Sequence, residues 1–130
     1  MLFLIKFYSC KILLIAFITL WAWGKNETGL FGNGTKTDSL SPIQIGTDTD
    51  WAFVSSNSVN CLAVKTNREL WGWGSSLGNT TPVQIGTNSN WASAVTIWDA
   101  NLQGVILDID GTLWVWEWVP FDGMKMRLYH

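Results

Sequence analysis

The sequence predicts an all-β protein assembled from repeated units of short strands, and three observations predict it. Segments recur: "TLWAWG" at residues 19–24, "ELWGWG" at 69–74 and "TLWVWE" at 112–117, while "PIQIGTDTDWA" at 42–52 matches "PVQIGTNSNWA" at 82–92. Ten of the 130 residues are Trp, far above ordinary usage, and Trp favours strands. Only three Pro, twelve Gly and an abundance of Thr, Asn and Ser fit short strands joined by polar turns. Internal repetition of this kind outranks every other signal in fixing an architecture.

The first element is an apolar leader, "MLFLIKFYSCKILLIAFITLWAWG". Lys6 and Lys11 precede the apolar run 12–20, and Ala22-Trp23-Gly24 loosely fits a small-x-small cleavage site, the outline of a secretory signal. The run after Lys11 is short for a membrane span, which needs about 20 residues. "FYSC" is a poor lipidation site, so Cys10 is not read as an anchor. Against a signal, "TLWAWG" recurs downstream as a strand, so cleavage after Gly24 discards part of the repeated unit. Three readings stand for residues 1–18: a signal or membrane segment, a buried strand, or a truncated start.

From residue 19 the units follow in order. Pro42 and Pro82 are 40 residues apart, whereas Trp21, Trp71 and Trp114 are separated by 50 and 43. Unequal offsets place insertions between fixed elements. "KNETGLFGNGTKTDSLS" joins Gly24 to Pro42, but only "SSLGNTT" joins Gly74 to Pro82. Both are loops by composition, and closure entropy rises only slowly with length. Within each unit, "LAVK" or "GVILDI" leads through a turn to a Trp-x-Trp strand. Alternate residues of a strand share a face, so Trp21 and Trp23, Trp71 and Trp73, and Trp114, Trp116 and Trp118 form stripes. One buried Trp removes roughly 150–250 Å² from water, worth about 4–6 kcal/mol as an upper bound. The stripes are therefore expected to dominate the core; the alternative is an exposed aromatic ladder for sugars or bases. Cys61 reads as a small buried apolar residue.

"GVILDIDGTLW", residues 104–114, is similar to the first motif of haloacid-dehalogenase-like phosphatases, with Asp108 as nucleophile and Asp110 as general acid. Alignment on the Trp strands opposes this. Leu113 and Trp114 lie over Leu70 and Trp71, so Asp110-Gly111 takes the place of Asn67-Arg68 and Asp108 that of Lys65. Asp-Gly between apolar strands is a hairpin signal. A phosphatase also needs a helix directly after the motif, yet "WVWEWVP" is strand-like. The expected role is a turn.

The order "LWAWGKNETGLFGNGTKTDSLSPIQIGTDTDWAFV…LAVKTNRELWGWG" resembles the repeat of the regulator-of-chromosome-condensation (RCC1-like) family, over roughly residues 19–118. Phe31 is inserted into that repeat's Leu-Gly pair, the second loop has lost most of its Gly pattern, and Glu117 stands where a closing Gly is expected. The resemblance implies a partial β-propeller of about two to two and a half four-stranded blades. Residues 119–130 match nothing upstream; Met124, Met126 and Leu128 alternate with Lys125 and Arg127 as in a short strand, and His130 reads as a solvated terminus. A ring needs about 4–8 blades, so the chain is either a fragment of a longer propeller or completes one by self-association or with a partner protein.

Formal charge of −2 and a pI near 5.1 argue against a nucleic-acid surface. No Ser/His/Asp set, phosphate loop or metal-ligand cluster is present, so no catalytic, cofactor-binding or metal residue is assigned and no cofactor is expected. The expected function is a non-enzymatic protein-interaction scaffold, with the loop at residues 25–41 as its contact surface. A family member that exchanges nucleotide on a nuclear GTPase lends no activity here, because no segment matches for it. The alternative is a secreted carbohydrate-binding module, for which Asn26, Asn33 and Asn79 head glycosylation patterns. Membrane association follows only if the leader is retained. Localisation is secreted or membrane-anchored if the leader is a signal, and cytoplasmic otherwise.

Overall fold

A computed structural model of the chain describes residues 11–15, 19–97, 102–119 and 123–128. The strands are β1 (Lys11–Ile15), β2 (Thr19–Gly24), β3 (Ser39–Gln44), β4 (Trp51–Ser56), β5 (Asn60–Lys65), β6 (Leu70–Gly74), β7 (Asn79–Gln84), β8 (Trp91–Thr96), β9 (Leu102–Asp108), β10 (Leu113–Val119) and β11 (Gly123–Leu128). A single 3-10 turn, Ser75–Leu77, follows β6. No described helix is long and apolar enough to cross a membrane.

The strands form three antiparallel sheets: β1-β2-β3, β4-β5-β6-β7 and β8-β9-β10-β11. The sequence repeat reappears as a repeat of register. Trp21 pairs with Gln44 and Gly24 with Ser39 across a bulge, just as Trp71 pairs with Gln84 and Gly74 with Asn79. Trp51 opposite Lys65 is likewise matched by Trp91 opposite Asp108, again next to a bulge. The long loop after β2 and the short turn after β6 thus end in the same register, as the variable spacing required.

β1 falls within the segment read as a leader. Its backbone pairs with β2 from Lys11 opposite Trp23 to Ile15 opposite Thr19, which adds a third strand to the first sheet. β11 covers half of the tail that lacked an upstream match, pairing with β10 from Trp114 opposite Leu128 to Val119 opposite Gly123. Cys10, residues 16–18 and His130 lie outside the described residues, as do the side chains of Trp118 and of Met124, Met126 and Leu128.

Period-2 alternation explains how one sheet serves two neighbours. In β5, every residue is buried. Cys61 and Ala63 pack with Leu20, Ala22, Leu30, Phe31 and Ile45 of the first sheet, whereas Leu62 and Val64 pack with Trp91, Ala94, Ile106 and Trp116 of the third. The Trp-x-Trp strands β6 and β10 therefore turn Trp73 and Trp116 back towards the preceding sheet. At the inner edge, β4 meets β8: Thr96 N–H donates to Ser55 Oγ at 3.0 Å, and Asn57 Nδ2 donates to Ile97 O at 3.0 Å.

Candidate functional site

Three features gather the polar and aromatic chemistry of the described residues: the hairpin at Asp108, the loop at residues 25–38 and the aromatic corner beside β4.

The hairpin corrects one detail of the sequence reading. The turn is a three-residue connection through Ile109, Asp110 and Gly111, closed by a bond from Asp108 N–H to Thr112 O of 3.0 Å. Gly111 has φ 85° and Asp110 is not left-handed, so this is not the two-residue turn that Asp-Gly predicts; a left-handed third residue is the mark of the longer loop. The Asp108 carboxylate organises it, accepting from Asp110 N (3.0 Å), Thr112 N (2.9 Å) and Trp114 Nε1 (3.1 Å). These donors hold its pKa below the ordinary carboxylate range; the Trp114 bond contributes most, and burial opposes it. A carboxylate spent on its own hairpin, on a strand-turn-strand and not before a helix, is in the wrong setting for a phosphatase nucleophile.

Within the loop at residues 25–41, expected to be the contact surface, Asn26 and residues 29–32 are buried, while residues 33–38 are exposed. Asn26 is fully buried. Its Nδ2 donates to Thr35 O (2.9 Å) and Thr37 O (3.2 Å), its Oδ1 accepts from Phe31 N (2.9 Å), and its own N–H donates to Asp38 Oδ1 (2.8 Å). Leu30 and Phe31 are thereby turned inward, and the Phe that seemed an insertion fills the space between the first and second sheets. Trp73 Nε1 donates to Leu30 O at 2.8 Å, tying the second sheet to the loop of the first. Gly32 sits against that indole with φ 80°, and a Cβ there would lie 2.8 Å from Trp73 Nε1. Asn26 is therefore no glycosylation acceptor in the folded chain, whereas Asn33 is exposed and Asn79 half-buried.

The aromatic corner had no sequence signal beyond the stripes. Trp51 and Trp71 meet edge to face, and Lys65 Nζ stands 4.9 and 4.5 Å from their ring centroids. The ammonium also meets Asp48 Oδ2 at 2.8 Å and Asp50 Oδ1 at 3.4 Å. Burial, the largest single influence, pulls its pKa down, but the two aspartates together outweigh it and the net shift is upward. The Lys65 cation is held by four groups, Asp48, Asp50, Trp51 and Trp71, which only pairing across strands brings together. Trp51, Trp73, Trp91 and Trp116 are buried, while Trp21, Trp71 and Trp114 are half-buried.

Sheets of three and four antiparallel strands, stacked face to face with their first strands adjacent, define a partial β-propeller. Solved RCC1-family propellers share this fold. Human WBSCR16 superposes with a TM-score of 0.75 at 18% identity, covering 94% of this chain and 36% of that one. Prp20p from Saccharomyces cerevisiae, studied for its binding to Gsp1p and histones, gives 0.72 at 12% over 94% and 36%. Yeast RCC1 (Prp20) bound to Kap60 gives 0.69 at 13% over 90% and 34%. The chain spans about a third of the length of these structures. No family model matches the sequence. No curated protein matches it either.

Proposed function

We propose that the chain is a non-enzymatic protein-interaction scaffold that works by stacking a further propeller unit on its third blade, either a second copy of itself or other repeats of a longer propeller. The outer face of that blade carries the reading. In the second blade Val64 and Leu70 are 2% and 0% exposed beneath the third blade. Their counterparts in the third blade, Leu107 and Leu113, are 37% and 36% exposed, and Val95 nearby is 50% exposed. A face whose equivalent is buried one blade earlier is built for the same kind of cover. Structural likeness to propellers about three times as long supports this. That Prp20p binds proteins is in keeping with a protein partner. Pairing of β1 with β2 favours residues 11–15 as a blade strand over a piece that is removed.

The test is the solution mass of the full chain by light scattering after size exclusion, with circular dichroism alongside. A discrete oligomer of β type, converted to monomer by Leu107→Glu with Leu113→Lys, supports self-association. A well-folded monomer at all concentrations means the cover comes from another chain, and a protein that aggregates or stays unfolded alone overturns the scaffold as an independent unit.

A further inference from the structure

The second and third blades carry the same aromatic corner with opposite charges in it. Trp91 and Trp114 meet at 5.9 Å and 85°, as Trp51 and Trp71 do at 6.1 Å and 83°. Trp51 lies opposite Lys65 in register, and Trp91 lies opposite Asp108. Asp108 thus takes the register position of Lys65 with a shorter side chain whose carboxylate is held by Asp110 N, Thr112 N and Trp114 Nε1, and Asn88 and Asn90 replace Asp48 and Asp50.

Two features follow from that exchange. A cavity of about 330 Å³ is lined by Ile85, Gly86, Thr87, Asn88, Trp91 and Trp114. The counterparts of three of these, Asp48, Trp51 and Trp71, are the groups that hold Lys65. The second feature is Asn90 Oδ1, which is buried without a hydrogen-bond partner, as is its counterpart Asp50 Oδ1. The Asp50 oxygen differs in having the Lys65 ammonium at 3.4 Å as an ion-pair neighbour. The exposed Arg68 on the neighbouring hairpin is not among the lining residues, and neither are Asp108 and Asn90.

We infer that this corner binds a primary alkylammonium group from outside the blade, with Trp91 and Trp114 taking the place of Trp51 and Trp71 around a cation. The faces of indole rings attract cations through their quadrupole, most strongly where water is excluded. Asp108 adds a full negative charge beside both rings, since it accepts from Trp114 Nε1 and faces Trp91 across the strand pair. It already accepts three N–H groups, but a carboxylate offers about four lone-pair sites, so room for an ammonium remains. The Asn88 side chain, which lines the cavity, supplies a neutral acceptor where the second blade has the Asp48 carboxylate. The site does not depend on the scaffold reading.

The experiment titrates the full chain with n-butylammonium and, in parallel, 1-butanol, following the indole N–H resonances of Trp91 and Trp114. A saturable shift with the ammonium and none with the alcohol is expected. No response, or the same response to both, overturns the inference. Asn90→Asp, which adds a second carboxylate, is expected to tighten binding, and weaker binding counts against the geometry. Asp108→Lys with Asn88→Asp and Asn90→Asp copies the second blade, fills the cavity internally and is expected to abolish binding; undiminished binding by this folded variant overturns the assignment. A blocked lysine amide is titrated beside free butylammonium. Tighter binding of the lysine assigns a partner's side chain, and equal or weaker binding assigns a free amine.

Discussion

Asp108 is the residue in which the motif and the structure part company. Its carboxylate accepts from Trp114 Nε1, Thr112 N and Asp110 N, and these keep it ionised below the ordinary range. A carboxylate whose folded pKa is depressed contributes stability above its unfolded value, about 3.9, and loses it as pH falls through the folded one. Denaturant midpoints measured below pH 4 are therefore expected to drop with acid, and Asp108→Asn is expected to remove part of that slope at the cost of a less stable protein throughout. Lys65 runs the other way. Its raised pKa means its contribution is intact below the ordinary Lys value and fades only as pH rises past it. Trp73 offers a cleaner test of one bond. Trp73→Phe keeps most of the buried ring but strands the Leu30 carbonyl, and urea unfolding is expected to show a loss of about 1–3 kcal/mol. None of these roles is readable from one position: Asp108 needs its hairpin, and Trp73 needs a carbonyl in another sheet.

At the scale of the element, the strands were legible and the loop was not. Trp-x-Trp strands and Pro-x-Gln-Ile strands announce themselves because their pattern has a period of two, a local property. The 25–38 loop carries no period, so its composition predicts only a polar connection. What makes it rigid is Asn26, whose amide reaches backbone groups from Phe31 to Thr37. Asn26→Ala is expected to leave the buried Phe31 N–H unpaired and to release the carbonyls of Thr35 and Thr37, to cost about 1–3 kcal/mol, and to speed hydrogen exchange at Phe31 N–H well beyond that at Cys61. The hairpin at residues 109–111 shows the same limit in small. Asp-Gly marks a turn correctly but does not give its span: the equivalent hairpin from Lys65 to Glu69 closes over three residues as well, with left-handed Arg68 in the place of Gly111.

Across the whole molecule, the repeats implied about two to two and a half four-stranded blades, whereas the described strands form sheets of three, four and four, because β1 and β11 lie in segments read as a leader and a tail. β1 lies in a stretch whose composition is that of a leader, and composition cannot tell a membrane-facing run from a buried strand of equal hydropathy. The candidate sites were the least legible level. Corners made by Trp51, Trp71 and Lys65, or by Trp91, Trp114 and Asp108, join residues from three strands and exist only once register is set. The outer face at Leu107 and Leu113 is visible only by comparison with the buried Val64 and Leu70. Replacing Leu113 by Lys is expected to leave the thermal midpoint of the isolated chain within about 0.5 kcal/mol of its parent in stability, as surface changes do, whereas Leu70→Lys is expected to unfold it.

Because the indole of Trp73 is satisfied by a carbonyl of the sheet before it, cooperativity in this chain runs along a line of nearest neighbours, as in linear repeat arrays. Only the middle sheet has a described neighbour on both sides, and every residue of β5 is buried. Thermal unfolding is then a fraying process that begins at the two outer sheets and reaches the centre last. Amide protons of Leu62, Ala63 and Val64 are expected to exchange most slowly, and those of Val105 and Leu107 first among their equivalents. Adding a blade at either end would raise stability by the worth of one more joint, and the chain's melting point would become a count of its neighbours.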